Sequence, residues 1–405
     1  MTIERNERAR LGYRRDRFTW VTFAALTAFG LLNAVLGPAL PYLRSVERIS
    51  YLVGALHQVA FAVGGGLAGL LATRAGRGPG RPVLIRLGLG GAAVAGLAVG
   101  YGDTAAVTVV AALFVSLLAT SALIRLWAAL ADAHGARRTI AMTEGEVAVS
   151  LGGIVAPLLI AGMAATVLSW RFAFVICGAL VVVAVAASAT VQIPAARRPT
   201  QARGGGAATG RPSARSRGAE AGSPWLRSTL VLVFAVVALE FSLSFWLASY
   251  LHDGVGLSTG SAAAMVGGLY AANLAGRVAA SRLARRTSTA RVLAAALATA
   301  LLGLPVLLVA TGPAVAGLGI ALAGAGIGAT FPLVSSLHVA GTPGTADGAV
   351  GQVLTVAAIG QAVGPVSVAV VAQHGGLRTG LLVLPALVLL AAGALDRHRR
   401  NPALE

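Results

Sequence analysis

One acidic residue lies deep inside a long apolar stretch of this sequence. Glu240 stands in "ALEFSLSFWLASYL" (238–251), near the middle of the apolar run 227–251. A carboxylate at such a depth is costly, and intramembrane acids are functional candidates by default. Apolar surroundings favour the neutral form of a carboxyl group. We therefore predict that Glu240 takes up a proton on one side of a membrane and releases it on the other. The alternative is a structural hydrogen bond to a neighbouring helix.

A second group of charges flanks a short loop. Arg125 precedes the loop 132–138 by seven residues, and Glu144 and Glu146 follow it by six and eight. All three should lie at similar depth on a helical hairpin, where an Arg–Glu pair would avoid an unpaired charge. We expect Glu144 or Glu146 to partner Arg125 in gating or coupling. The alternative for the acids is favourable electrostatics at a helix start.

Other polar side chains interrupt the apolar runs and are candidates for a substrate cavity. Trp246 follows Glu240 by six residues and could stack on a sugar ring, or it could face lipid. Tyr250 is expected in the aromatic belt at the membrane boundary. The remaining cavity candidates from this pattern are Asn33, Tyr270, Asn273, Gln352, Thr355 and Gln361.

Composition indicates a membrane protein made of helices. Of the 405 residues, 57% are hydrophobic and only 11% are charged, and the mean hydropathy is +0.80. Apolar runs long enough to cross a bilayer as helices recur along the chain. The predicted spans are 18–43, 51–73, 82–101, 105–131, 139–166, 170–193, 227–251, 258–284, 289–311, 313–340, 345–373 and 376–396.

The net charge of +18 comes entirely from arginine and follows the topology. With a cytoplasmic N-terminus, the cytoplasmic segments hold 26 arginines and the opposite loops hold four. This asymmetry is the positive-inside pattern. We therefore predict a multi-pass protein of the cell membrane with both termini cytoplasmic. The same distribution argues against nucleic acid as a partner.

The chain divides into two halves of six spans. Residues 195–224 are rich in Gly, Ala, Pro, Ser and Arg and lack apolar bulk, which is typical of a flexible linker. We predict an N-terminal bundle at 1–194, a cytoplasmic linker at 195–226 and a C-terminal bundle at 227–405. A shift of 208 residues places Gly152 on Gly360 and Pro157 on Pro365, which indicates an internal repeat.

The arrangement resembles the major facilitator superfamily over essentially the whole chain. That family carries a Gly-x-x-x-Asp-Arg-x-Gly-Arg-Arg signature between spans 2 and 3. Here Gly69, Arg74, Gly76 and Arg77 match it, and Thr73 stands where the family has Asp. The resemblance implies an all-α membrane protein, with twelve transmembrane helices in two pseudo-symmetric six-helix bundles. It also implies alternating access around a site formed by spans 1, 4, 7 and 10.

The second half is similar to the fucose:proton symporter and sugar porter subgroup. The segments that carry this likeness are the Glu240 stretch, "GIGATFPLVSSL" (326–337) with Phe331, and "GQAVGP" (360–365). Phe331 joins the cavity candidates on that basis. "GGIVAP" (152–157) is instead similar to part of a motif of proton-coupled exporters, so the direction of transport stays open.

The sequence therefore predicts a proton-coupled secondary transporter of a small organic solute, with a sugar or polar metabolite favoured. The alternatives are a proton-coupled multidrug or secondary-metabolite exporter and, in a different class, a membrane receptor or scaffold. We expect no enzymatic activity, no cofactor and no metal. The single cysteine, Cys177, lies in an apolar run and cannot form an internal disulfide. The expected partners are solute, protons and lipid, and we expect a monomer.

Overall fold

The computed structural model describes residues 14–74, 80–194, 224–342 and 346–400, and all regular structure within them is helical. The first half contains α1 (Arg17–Ala34, continued as Leu36–Glu47), α2 (Tyr51–Arg74), α3 (Arg81–Tyr101), α4 (Ala105–His134), α5 (Arg138–Ala164) and α6 (Phe172–Ala189). The second contains α7 (Pro224–Asp253), α8 (Thr259–Leu283), α9 (Thr289–Leu308), α10 (Pro313–Ile327, continued as Thr330–Gly341), α11 (Ala346–Gly380) and α12 (Val383–Arg399).

Most of these helices are long and apolar enough to cross a membrane. Ten of those in the described ranges meet that condition. α12 has only 17 helical residues. α8 is a continuous helix, but the polar residues Asn273 and Arg277 interrupt its apolar sequence. The protein is an all-α membrane protein with twelve helices in two bundles, as the sequence predicts.

The two halves repeat one packing scheme, which confirms the internal repeat at the level of helix contacts. α1 packs along α5 and α6, and α7 packs along α11 and α12. α3 pairs with α4 in the same way that α9 pairs with α10. Glycine permits the closest contacts, because a Cβ on Gly152 would overlap Thr27 O of α1 and a Cβ on Gly360 would meet Phe234 O of α7.

The described residues form two compact units whose boundary differs from the one expected from sequence. One unit holds residues 14–39 and 63–194, and the other holds 40–62 together with 224–342 and 346–400. Residues 40–62 join the second unit because their side chains pack on α7. Around Gly54, for example, lie side-chain atoms of Leu40, Arg44 and Trp246. Of the predicted linker, residues 195–223 lie outside the described part of the chain, and 224–226 begin α7.

Helix α11 contains a kink close to the point where the sequence predicts the boundary between spans 11 and 12. The prediction ends span 11 at 373 and starts span 12 at 376, whereas α11 runs to Gly380 and α12 begins at Val383. Gly376, with φ of 74° and ψ of 174°, is not helical, so Ala346–Gly380 consists of two helices that meet at a kink. The predicted boundary between 373 and 376 therefore falls at this kink, and a short helical segment precedes α12.

Candidate functional site

Glu240 lies near the middle of α7 with its side chain mostly enclosed. The side chain is 19% exposed, and its neighbours Leu239 and Leu243 are fully buried. Residues 226–395 contain only two other acids, Asp253 and Asp347. Both stand at or beside helix ends, so Glu240 is the acid at mid-depth in the second half of the chain.

The structure gives Glu240 a cationic partner that the sequence interpretation did not assign. Arg277 Nη2 lies 3.7 Å from Glu240 Oε1, and the Arg277 side chain is 33% exposed. The two residues come from α7 and α8, which are consecutive in the chain. An arginine inside an apolar span needs a counter-charge because its guanidinium stays protonated. Arg277 was visible in the sequence as one of two arginines within spans, and that was the available signal.

A main-chain carbonyl holds the other side of the guanidinium. Arg277 Nε donates to Gly328 O at 2.8 Å. In a continuous helix this carbonyl would accept from the amide four residues later, which is Pro332 and has no N–H. The two segments of α10 also separate at 328–329. Pro332 therefore leaves an acceptor at Gly328 that fixes the orientation of Arg277.

Two hydroxyl groups extend the cluster along α7 and α8. Ser244 Oγ donates to Glu240 O at 2.8 Å, one turn earlier on α7. The Tyr270 side chain lies close enough to Ser244 and Glu240 to interact with both. Tyr270, a cavity candidate, thus belongs to the same polar cluster as Glu240. We call Glu240, Ser244, Tyr270, Arg277 and Gly328 O the α7–α8 cluster.

Asn273 holds the helices that carry this cluster together. With the amide oriented so that its nitrogen faces the two carbonyls, it donates to Gly324 O at 2.8 Å and to Leu269 O at 3.3 Å. The side chain is 5% exposed. A Cβ on Gly328 would overlap the Asn273 main chain, so α8 and α10 touch at this level. Asn273, expected as a cavity residue, satisfies its amide within the α8–α10 contact.

Trp246 is enclosed within the second unit. It is fully buried, and its Nε1 donates to Pro365 O of α11 at 2.9 Å. Its ring meets the Tyr51 ring edge-on at a centroid distance of 5.8 Å. These contacts are those of a packing residue, and stacking on a solute stays a prediction that the structure leaves untested.

Tyr250 does not lie in an aromatic belt, and that interpretation was wrong. Its side chain is fully buried, and its hydroxyl donates to Leu307 O at 2.9 Å with Leu308 O at 3.1 Å. These carbonyls belong to the last turn of α9, where Leu307 O also accepts from Ala310 N at 3.2 Å. Tyr250 therefore caps α9 from α7.

A second charged cluster lies at the C-terminal end of α7. Arg44 Nη1 lies 2.7 Å from Asp253 Oδ2, and the Tyr51 hydroxyl donates to the same oxygen at 3.1 Å. The Arg44 guanidinium also stacks over the Tyr51 ring at 3.9 Å from its centroid. Asp253 is the last residue of α7, where the helix dipole disfavours an anion. Arg44 offsets that cost.

In the first unit, Glu144 and Arg125 make contacts that the sequence interpretation did not assign to them. Glu144 accepts from Arg15, with Nη2 to Oε1 at 2.6 Å and Nε to Oε2 at 2.9 Å. Arg125 Nη1 donates to Ser121 on its own helix, with Ser121 Oγ at 2.9 Å. Glu146 lies exposed on α5. The described contacts thus show Glu144 bound to Arg15, whereas the sequence offered it as a partner of Arg125.

Each half contains a threonine–histidine contact between its first and fourth helices. In the first, Thr19 Oγ1 of α1 lies 2.9 Å from His134 Nε2 at the end of α4. In the second, Thr229 Oγ1 of α7 lies 2.8 Å from His338 Nδ1 near the end of α10. His338 Nε2 also lies 3.1 Å from Gln352 Oε1. Gln352, a cavity candidate at the repeat position of Glu144, is thereby engaged with His338.

The remaining candidates are distributed over several helices. Asn33, Phe331 and Gln361 are half-buried, and Thr355 is exposed with its hydroxyl donating to Gly351 O at 2.9 Å. Gly69 and Arg74 lie in the last turns of α2. Gly76 and Arg77 of the loop signature lie outside the described residues. Within the described ranges, no three His, Cys, Asp or Glu side chains group as metal ligands.

Comparison with known proteins identifies the family. The sequence profile of the Major Facilitator Superfamily matches residues 18–365. This chain belongs to that superfamily and is a membrane transporter. No curated protein sequence matches it.

Solved structures agree with the fold. A bacterial homologue of the human lysosomal transporter Spinster, inward-facing and unoccupied, has a TM-score of 0.76 at 16% identity, covering 96% of this chain and 98% of its own. The nucleoside transporter NupG has a TM-score of 0.72 at 13% identity over 95% and 99%. A D-xylose–proton symporter has 0.69 at 16% identity over 94% and 96%. At these identities the likeness shows the fold alone.

Proposed function

We propose that this protein couples the movement of a small polar organic solute to protons by alternating access, with Glu240 as the proton carrier. The observation that carries the proposal is the Glu240–Arg277 pair, a titratable carboxylate held beside a permanent cation at mid-depth in α7. An ion pair at this depth adds little to the stability of the fold, because removing both charges from water is costly. Intramembrane acids instead mark ion and substrate pathways.

The proposed class of solute rests on the sequence resemblance and on the solutes that appear in the names of the similar solved structures. The solved neighbours include a nucleoside transporter and a xylose–proton symporter, which are named for polar solutes and, in one case, for proton coupling. A sugar or similarly polar metabolite is the favoured class. The hydroxyl groups of Ser244 and Tyr270 beside Glu240 suit such a solute. We place both termini on the cytoplasmic side and take the monomer as the working unit.

The test of proton coupling is flux in liposomes. We expect Glu240→Gln to abolish solute-driven proton uptake, because the amide cannot take up the proton, while solute exchange between equal concentrations persists. Asp396→Asn is the matched control, since Asp396 is 56% exposed on α12 and pairs with Arg400 on its own helix. Unchanged proton flux in Glu240→Gln would remove Glu240 from the proton role. Glu144→Gln and Glu146→Gln would then be tested as the other predicted carriers.

Export is the second candidate, because the "GGIVAP" segment is similar to part of a motif of proton-coupled exporters. Gly152 in this segment lets α5 approach α1 so closely that a Cβ would overlap Thr27 O. Gly30 matches it on α1, since a Cβ there would overlap Val149 O of α5. Proton-driven flux measured in right-side-out and inverted vesicles distinguishes the candidates. Accumulation of the solute against its own gradient, driven by the proton gradient and seen only in inverted vesicles, would establish export.

A further inference from the structure

We propose that the transported solute carries a carboxylate, which replaces Glu240 as the counter-charge of Arg277 when Glu240 takes up its proton. This inference rests on the proposed function and names the substrate class of the α7–α8 cluster. It predicts that one proton and one organic anion cross together without net charge.

The first step is the charge balance around Arg277. With Glu240 ionised, the pair is neutral. Once Glu240 binds a proton, the guanidinium keeps its charge, and the other acids in residues 226–395 are Asp253 and Asp347. Asp253 is bound to Arg44 at the end of α7, and Asp347 stands at the start of α11. A neutral solute would leave the protonated cluster with an added positive charge at mid-depth, which is unfavourable.

The second step is the geometry of the ion pair. The 3.7 Å between Arg277 Nη2 and Glu240 Oε1 is longer than a hydrogen bond. A carboxylate in bidentate contact with a guanidinium makes two hydrogen bonds of about 2.7–2.9 Å and is the stronger ligand. Arg277 is 33% exposed, so such a ligand can reach it. A bidentate carboxylate would therefore be a stronger ligand of Arg277 than Glu240 is at this distance.

The third step is the preorganisation of the guanidinium. The hydrogen bond from Arg277 Nε to Gly328 O orients the guanidinium group so that Nη2 faces Glu240. Because Pro332 removes the competing amide, this carbonyl stays available to the arginine throughout. Arg277 is thus held in one orientation whether its counter-charge is Glu240 or the solute. Holding a side chain in its binding geometry lowers the entropic cost of capturing a ligand.

The charge balance also selects a carboxylate over a phosphate ester. A phosphate group carries a charge of roughly −1.5 to −2 at neutral pH. One arginine beside a neutral Glu240 compensates a single negative charge. Among the residues that the structure describes, Arg277 is the one arginine of the α7–α8 cluster. A monoanion is therefore the ligand that leaves the loaded cluster neutral.

Thermodynamic linkage turns this exchange into coupling. If protonation of Glu240 releases Arg277 for the solute, then solute binding favours protonation by the same factor. Affinity for the carboxylate should rise by up to about tenfold per unit fall in pH, because one proton is linked to binding. A neutral solute that does not contact Arg277 should show no such dependence.

The binding test uses matched acid and neutral pairs with the purified full chain in detergent. The probes are D-glucuronate against D-glucose, L-lactate against propane-1,2-diol, and 3-phenylpropionate against 3-phenylpropanol. We expect thermal stabilisation by at least one acid, stronger at pH 5.5 than at pH 7.5, and none by its neutral partner. Equal stabilisation by the neutral partner, or none by any acid, would overturn the proposal.

Variants then locate the effect. Glu240→Gln should bind the acid with an affinity independent of pH, because the amide imitates the protonated acid. Arg277→Lys should bind about tenfold more weakly, since lysine keeps the charge and loses the fork. The double variant Glu240→Gln/Arg277→Gln removes both charges without leaving one buried alone, so folding is preserved while acid binding is lost. Arg285→Gln, an exposed arginine beyond α8, is the control expected to match wild type.

Transport of the best acid separates failure of this inference from failure of the proposed function. In liposomes, a pH gradient should drive its uptake and a potassium–valinomycin potential should not, because no net charge moves. Uptake driven by both gradients, together with proton-coupled uptake of the neutral partner, would support the proposed function. It would overturn the inference that the solute is an anion. Response to neither gradient, with binding of the acid intact, would overturn proton coupling itself.

Discussion

Arg44 and Asp253 form a 2.7 Å ion pair between the last turn of α1 and the last residue of α7. Tyr51 at the start of α2 donates to the same carboxylate and lies under the guanidinium. The pair is mostly enclosed, with Arg44 17% and Asp253 29% exposed. This cluster holds residues 40–62 within the second unit.

We therefore expect Asp253→Asn to destabilise the protein, because it leaves a largely enclosed arginine without its carboxylate. Removal of one partner of such a contact costs about 1–3 kcal/mol. Thermal unfolding in detergent measures the loss. Asp396→Asn, on the exposed α12 pair, should leave the melting temperature unchanged. Equal stability of both variants would mean that the Arg44 contact contributes nothing.

Gly328 should tolerate no side chain. A Cβ there would overlap the main chain of Asn273, which cannot move without separating α8 from α10. We expect Gly328→Ala to lower the melting temperature strongly, as overpacking of a tight contact typically costs about 1–3 kcal/mol or more. At Gly351, by contrast, an added Cβ meets nothing within 4 Å. Gly351→Ala should be neutral or slightly stabilising because alanine is the better helix former, and a matching loss at both positions would contradict the contact.

Trp246 offers a direct choice between packing and solute binding. If its role is the hydrogen bond to Pro365 O, Trp246→Phe should lower stability by about 0.5–1.5 kcal/mol and leave solute affinity within a few-fold. If Trp246 stacks on the solute, the same change should weaken affinity with little effect on unfolding. Trp20→Phe, at a position 58% exposed, is the control. Measuring the melting temperature and the affinity on the same samples decides between the two roles.

Thr229 should matter more than other threonines that bond to their own helix. Thr229→Val leaves Nδ1 of the fully buried His338 without its hydroxyl partner, a cost of about 1–3 kcal/mol. Thr299→Val removes only a hydroxyl that donates to Ala295 O on the same helix and should cost little. Circular dichroism melts of both variants test this. Comparable melting temperatures would show that His338 finds another partner.

Much of the architecture follows from the sequence because hydrophobic length and glycine spacing determine it. The twelve helices correspond to twelve apolar runs, and the offset that aligns Gly152 with Gly360 reappears as matching α1–α5 and α7–α11 contacts. Glu240 could be singled out because a carboxylate at mid-depth is rare for energetic reasons. These features depend on composition along the chain, which sequence displays directly.

The partners of these residues could not be obtained in the same way. The rotation of α7 about its axis determines that Trp246 meets Pro365 and Tyr250 meets α9, and the apolar run is too uniform to fix that rotation. Glu144 bonds to Arg15, a residue before the first helix whose path is not encoded by periodicity. The partner of Arg277 was within reach, because Pro332 identifies the Gly328 carbonyl as lacking its helical donor.

The acceptor that orients Arg277 belongs to the backbone, with a consequence for how this transporter can change its substrate over evolution. No side-chain replacement at position 328 can delete a carbonyl oxygen, and bulkier residues are excluded there by Asn273. Under the role proposed above for Arg277, selection for a differently charged substrate would act on positions 240 and 277. The contact between α8 and α10 would stay the same. Paralogues with the same Pro332 break should vary in charge at those two sites together.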